Sequence, residues 1–107
     1  MKHQLAVVMP AYNEEACIAQ VIHGWAAALD GLGIDYKIIV LNDGSNDRTG
    51  EIIRAMPPNP RMHLVDKPNS GHGPTILIGY ASAVEDAEWV FQCDSDNEMP
   101  ASHFKRL

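Results

Sequence analysis

Two aspartates separated by one residue, Asp94-Ser95-Asp96, follow an apolar run in this 107-residue chain. Carboxylates so spaced at a strand end can share a hard divalent cation, one reaching the metal and the other a ribose hydroxyl or a bound water. Without a cation their mutual repulsion would be costly. An EF-hand is excluded, because position 6 counted from Asp94 is Met99 instead of Gly and position 12 is Lys105 instead of Glu. A plain acidic turn is the alternative that so short a pattern leaves open.

A second polar run, Asn42-Asp43-Gly44-Ser45-Asn46-Asp47, follows another apolar stretch. A carboxylate or amide there can accept from or donate to the edge of a nucleobase, and Gly44 lets the backbone turn sharply. Ser45 or Asn46 also reads as the cap of the following helix, with Asp47 near its positive end, a role that does not need Asp43. The third run, Asn69-Ser70-Gly71-His72-Gly73-Pro74, precedes a helical pattern, so its backbone N–H groups can face an anion. Only half of a dinucleotide fingerprint is present, since Ile76 stands where the third glycine would fall, and no lysine-containing phosphate loop exists. His72 reads as a surface loop residue or a phosphate contact. His3, His23, His63 and His103 show no metal-ligand spacing.

These runs need a scaffold, and the apolar pattern supplies one. Leu5 to Met9, Tyr36 to Leu41, Met62 to Val65 and Trp89 to Cys93 are short β-branched or apolar runs, which predict four strands. Between the first two, Ile18, Val21, Ile22, Trp25 and Leu29 share one helical face, with Asn13 expected as N-cap, Glu14 and Glu15 in the first turn, and Gly31 and Gly33 at the end. A shorter helix carrying Ile52, Ile53 and Met56 must stop at Pro57-Pro58-Asn59-Pro60. A third is expected from about Pro74 to Glu85, burying Ile76, Leu77, Tyr80, Ala81 and Val84. Strands alternating with helices give a parallel sheet, whose ligands bind beyond the carboxyl ends of the strands. Each strand here empties into polar residues, and several such loops on one edge weaken the reading of each as a mere turn.

Composition bounds the function. With 8 Lys+Arg against 14 Asp+Glu the net charge is −6, which argues against nucleic acid, since phosphate backbones call for a basic face. A hydrophobic share of 46% and a charged share of 21% are those of a globular chain, with one domain as the ceiling. Cys17 and Cys93 form no zinc or disulfide pattern, which suits a reducing compartment. No run approaches the ~18 apolar residues that span a bilayer, and the start lacks the pattern of a signal peptide. The expectation is a soluble, cytoplasmic chain, with a membrane segment beyond Leu107 left open.

Taken together, Val7 to Glu15, Val40 to Asp47, Asn69 to Pro74 and Asp94-Ser95-Asp96 resemble, in order and spacing, the inverting GT-A glycosyltransferases of family 2, including dolichyl-phosphate-mannose synthase-like enzymes. The resemblance implies a Rossmann-like α/β fold with strand order 3-2-1-4 and helices on both faces. It implies a UDP- or GDP-linked sugar donor, with Pro10, Ala11, Tyr12 and Glu14 lining the nucleoside pocket, Asp43 reading the base, and Gly71 and Ser95 beside the nucleotide. Asp94 would approach the ribose, and Asp96, with Asp94, would hold Mg²⁺ or Mn²⁺ on the diphosphate. Asn42 departs from the aspartate usual in the family, and His72 from the lysine many members carry.

The implied reaction inverts the anomeric carbon while a base takes the acceptor proton. In the family that base lies well beyond the D-x-D motif, and this chain stops 11 residues after Asp96. Residues 1–107 are therefore expected to be one truncated domain, the donor-binding half of a longer enzyme, without a catalytic base and inactive alone. The acceptor would be a polyprenyl phosphate or a polysaccharide. The fourth strand, left as an apolar edge, predicts self-association. The competing reading is a non-catalytic nucleotide-binding or phospho-receiver-like module, against which the Pro10-Ala11-Tyr12 end of the first strand speaks, since a receiver needs an acidic pair there.

Overall fold

The computed structural model describes residues 3–93. In chain order it contains β1 (His3–Ala11), α1 (Ile18–Gly31), β2 (Tyr36–Asp43), α2 (Thr49–Ala55), β3 (Met62–Lys67), α3 (His72–Asp86) and β4 (Ala87–Gln92). The strands form one parallel sheet of order β3-β2-β1-β4, as the resemblance implied. β1 and β2 are central and almost wholly buried, which is why they read as apolar on both faces.

Alternation along the strands divides the core in two. Leu5, Val7 and Met9 of β1 and Tyr36, Ile38 and Val40 of β2 pack with Ile18, Val21, Ile22, Trp25 and Leu29 of α1 and Ile53 of α2. Trp25 reaches β4, its ring centroid 5.4 Å from that of Phe91. On the opposite face Ala6, Val8, Ile39 and Leu41 meet Ala83 of α3.

Two local expectations are corrected. Asn13 does not cap α1, which begins at Ile18 after Cys17 with no side-chain cap and no acidic residue in its first turn. Asn13 instead takes a left-handed turn (φ 51°) and its side chain is spent on a neighbouring loop. The buried side of α3 is also different. Thr75, Gly79 and Ala83 face the sheet, whereas Leu77 and Val84 are 68% and 56% exposed. The small residues let α3 lie close, since a Cβ on Gly79 would run into Val8 Cγ1 and come within 3.0 Å of Leu41 Cδ1. Of the residues that periodicity marks as the core side, Tyr80 is half-buried and packs on this face and Ile76 is half-buried, while Leu77, Ala81 and Val84 are exposed.

Candidate functional site

The strands extend further than their apolar runs, so Pro10, Ala11, Asn42, Asp43, Asp66 and Lys67 are the last rungs of the sheet instead of loop residues. Register sets Asn42 opposite Asp66 and Asp43 opposite Lys67. Because side chains alternate, the first pair points to α2 and the second to α3. Asn42 Nδ2 donates to Asp66 Oδ1 at 3.0 Å, and Arg54 Nη1 donates to Asp66 Oδ2 at 3.0 Å. The departure from aspartate at position 42 thus has a local reason: a carboxylate there would face that of Asp66.

Asp43 is buried, and its carboxylate is surrounded by donors. Lys67 Nζ lies 2.5 Å and Ser70 N 2.8 Å from Oδ1, while Gly71 N lies 3.1 Å and Asn69 Nδ2 3.4 Å from Oδ2. Burial would raise its pKa, but the Lys67 ammonium and the Ser70 N–H outweigh it and hold the carboxyl below its ordinary 3.8. Asn69 Nδ2 also donates to Asp43 O at 2.9 Å. The β3–α3 loop is thereby drawn against Gly44, where a Cβ would sit 2.5 Å from Asn69 N. Gly44 (φ 65°) is required by that approach and by its own turn.

The β1–α1 loop is laced to the β2–α2 loop. Asn13 N donates to Ser45 Oγ (3.0 Å), Glu14 N to Thr49 Oγ1 (2.9 Å) and Glu15 N to Asp47 Oδ2 (3.2 Å). In return Asn46 N donates to Asn13 Oδ1 (2.8 Å). The cap expected at Ser45 or Asn46 is not found: α2 follows Arg48, whose side chain makes no cap, and Asp47 Oδ1 takes the Thr49 N–H at 2.9 Å. Tyr12 is 45% exposed at this edge, with its hydroxyl near Asn46 Nδ2 (3.4 Å).

The structure therefore brings Pro10, Ala11, Tyr12, Glu14, Asp43 and Gly71 to one edge of the sheet. Asp94, Ser95 and Asp96 lie outside the described residues; Cys93 before them donates its N–H to Val8 O at 3.0 Å. Among the described residues no group of three or more His, Cys, Asp or Glu is arranged to hold a metal. An apolar cleft of roughly 360 Å³ between Leu5, Ile34, Trp89 and Phe91 lies at the opposite, amino-terminal end of the strands and gathers no convergent polar groups. Lys67, Asp66 and Thr75 are the participants that motif reading passed over. Their signal was the complementarity of Asn42-Asp43 with Asp66-Lys67 at equivalent strand ends.

A parallel α/β sheet of order 3-2-1-4 with polar loops gathered at its carboxyl edge is the GT-A fold expected above. Residues 6–107 match the family model of Glycosyl transferase family 2, and the chain belongs to that family. A curated relative, the undecaprenyl-phosphate 4-deoxy-4-formamido-L-arabinose transferase of Pectobacterium atrosepticum, is 33% identical over 106 residues, covering 96% of this chain and 32% of its own length. The fold matches Staphylococcus aureus TarS 1–349 in complex with UDP-GlcNAc at a TM-score of 0.77 and 24% identity, over 96% of this chain and 29% of that one. It matches Mycobacterium tuberculosis glucosyl-3-phosphoglycerate synthase, solved with Mn²⁺, UDP-glucose and phosphoglyceric acid, at 0.61 and 30% identity, over 87% and 33%. The chain thus spans about a third of these proteins, a smaller share than the half expected from its sequence.

Proposed function

We propose that this chain is the donor-binding part of an enzyme that transfers a sugar from a UDP- or GDP-linked donor to an acceptor with inversion. The observation that carries the reading is the convergence of the β1, β2 and β3 ends, with their loops hydrogen-bonded to one another, on the single edge where this architecture takes nucleotides. Pro10, Ala11, Tyr12 and Glu14 form the nucleoside wall. Asp43 forms the base-side floor; its carboxylate already accepts four donors, so it contributes chiefly by anchoring the β3–α3 loop that carries Gly71 beside the nucleotide. Asp94 meets the ribose, and Ser95 stands beside the nucleotide.

Asp96, with Asp94, would hold Mg²⁺ or Mn²⁺, and two carboxylates are the hard oxygen donors such ions take. That ion supplies charge neutralisation on the departing diphosphate. Lys67 does not provide it, because its ammonium is buried among protein acceptors. The relatives named as undecaprenyl-phosphate transferases support a polyprenyl phosphate as acceptor, and with it a membrane-associated full-length protein. No described helix is long and apolar enough to cross a membrane. The acceptor proton requires a base outside residues 1–107, so the chain alone transfers no sugar.

Self-association through β4 or the surface beside it belongs to the same proposal. Among the described strands β4 pairs only with β1, and Trp89 on it is 73% exposed. Titration calorimetry with UDP, GDP, CDP and ADP, with and without Mn²⁺, tests the donor reading. Binding of UDP or GDP strengthened by Mn²⁺ is expected, and no binding of any of the four would overturn it.

A further inference from the structure

We infer that Lys67 positions the β3–α3 loop for the nucleotide, acting through Asp43 and without touching the ligand. The inference rests on the donor-site reading above. Lys67 is the last residue of β3, and register delivers it opposite Asp43, so the contact follows from the sheet and not from a flexible reach. Its side chain is 10% exposed and that of Asp43 6%. Around Nζ stand Asp43 Oδ1 at 2.5 Å, Ser70 Oγ at 2.6 Å, Pro68 O at 2.7 Å and Thr75 Oγ1 at 3.3 Å. An ammonium has three N–H donors, and four acceptors surround this one, so none is left for a phosphate.

Those four acceptors belong to three different pieces of chain: the end of β2, the loop, and the first turn of α3. Lys67 thus ties the loop at both of its ends to the central sheet. Asp43 completes the anchoring by taking the Ser70 and Gly71 N–H groups, and Gly71 (φ 93°) supplies the backbone turn into α3. With the donors of Ser70 and Gly71 turned inward, the exposed start of α3 at His72 and Gly73 is the part of this segment presented at the edge. Removing the ammonium leaves the Asp43 carboxylate buried with neutral donors only, and the loop loses its charged anchor.

The test compares the parent chain with Lys67→Met, Lys67→Gln and Lys67→Arg by two readouts. The first is amide hydrogen exchange at Ser70 and Gly71, referenced to Val8 and Ile39 in the central ladder. The second is calorimetric affinity for UDP and GDP with Mn²⁺. In Lys67→Met, exchange at Ser70 and Gly71 is expected to accelerate at least about tenfold, the loss associated with one hydrogen bond to a charged group, while Val8 and Ile39 keep their protection. Nucleoside diphosphate affinity is expected to fall by a similar factor, and Lys67→Arg to recover part of both. Lys67→Gln, which keeps a donor without the charge, falls between and serves if Lys67→Met does not fold. Unchanged protection and affinity in Lys67→Met or Lys67→Gln would overturn the inference, as would equal loss of protection at all four amides, which marks a general structural role. If the parent binds neither nucleotide, the donor-site reading fails by itself, and the exchange at Ser70 and Gly71 still decides whether Lys67 anchors the loop.

Discussion

Replacing Gly79 by alanine should destabilise the protein, although the same change elsewhere in α3 should not. Glycine in a helix interior costs about 1 kcal/mol relative to alanine, so propensity alone favours the substitution. The site opposes it. The new Cβ would clash with Val8 Cγ1 and sit 3.0 Å from Leu41 Cδ1. Neither neighbour has room to retreat, because Val8 is 0% and Leu41 1% exposed. Overpacking of this kind costs about 1–3 kcal/mol, leaving a net loss of up to about 2 kcal/mol. Gly73, in the first turn of the same helix, meets nothing within 4 Å, and Gly73→Ala should gain about 0.5 kcal/mol or more. With Tm shifting by about 4–8 °C per kcal/mol in a domain of this size, the two variants should melt on opposite sides of the parent, separated by about 10 °C. Thermal melts followed by far-UV circular dichroism measure this directly. Were both alanine variants to melt together above the parent, α3 would not be seated on Val8 and Leu41 as described.

Asp96→Ala should abolish the Mn²⁺ enhancement of nucleoside diphosphate affinity without changing the melting temperature; equal calorimetric affinity of parent and variant in Mn²⁺ would remove the metal assignment. Because Asp43 is held below 3.8 in the folded state, its stabilisation is fully present above that pH and disappears as pH falls through the lower value. Urea midpoints should therefore decline less steeply below pH 3.8 for Asp43→Asn than for the parent, and parallel curves would contradict the ion pair. Other carboxyls held below their ordinary value, Asp35 by Arg61 and Asp86 by Lys37 among them, keep some slope in the variant. If β4 and the outer stripe of α3 mediate self-association, Trp89→Lys combined with Leu77→Glu should convert associated parent to monomer in sedimentation velocity, and a parent already monomeric at tens of micromolar would refute that surface.

Much of this architecture was legible in the sequence. The strands, their order and the α1 face followed from apolar runs and the family resemblance, because burial on both sides of β1 and β2 leaves an unbroken apolar signal. The misreadings share a physical cause. Periodicity reports how much apolar area a helix face carries, not how closely it approaches a sheet, and for α3 the small face of Thr75, Gly79 and Ala83 won. Asn13 was equally eligible as a cap or as a loop brace, and only Asn46, 33 residues away, decides between them. Lys67 stands in no motif, and polarity at the end of a strand cannot be told from a turn until register supplies its opposite number, here Asp43.

The lacing of the first two loops bears on how the family can vary in this branch. Backbone amides of Asn13, Glu14 and Glu15 each find a side chain at Ser45, Thr49 and Asp47, at sequence separations of 32, 35 and 32 residues. An insertion or deletion in either loop would shift three donors out of step with three acceptors at once, and a compensating change would have to arise in the other loop simultaneously. Length variation should therefore be frozen at these two connections. The proline-rich link from Pro57 to Pro60, which is held locally by Asn59 accepting from Arg61 and Met62, is free to lengthen without disturbing the edge where the chemistry gathers.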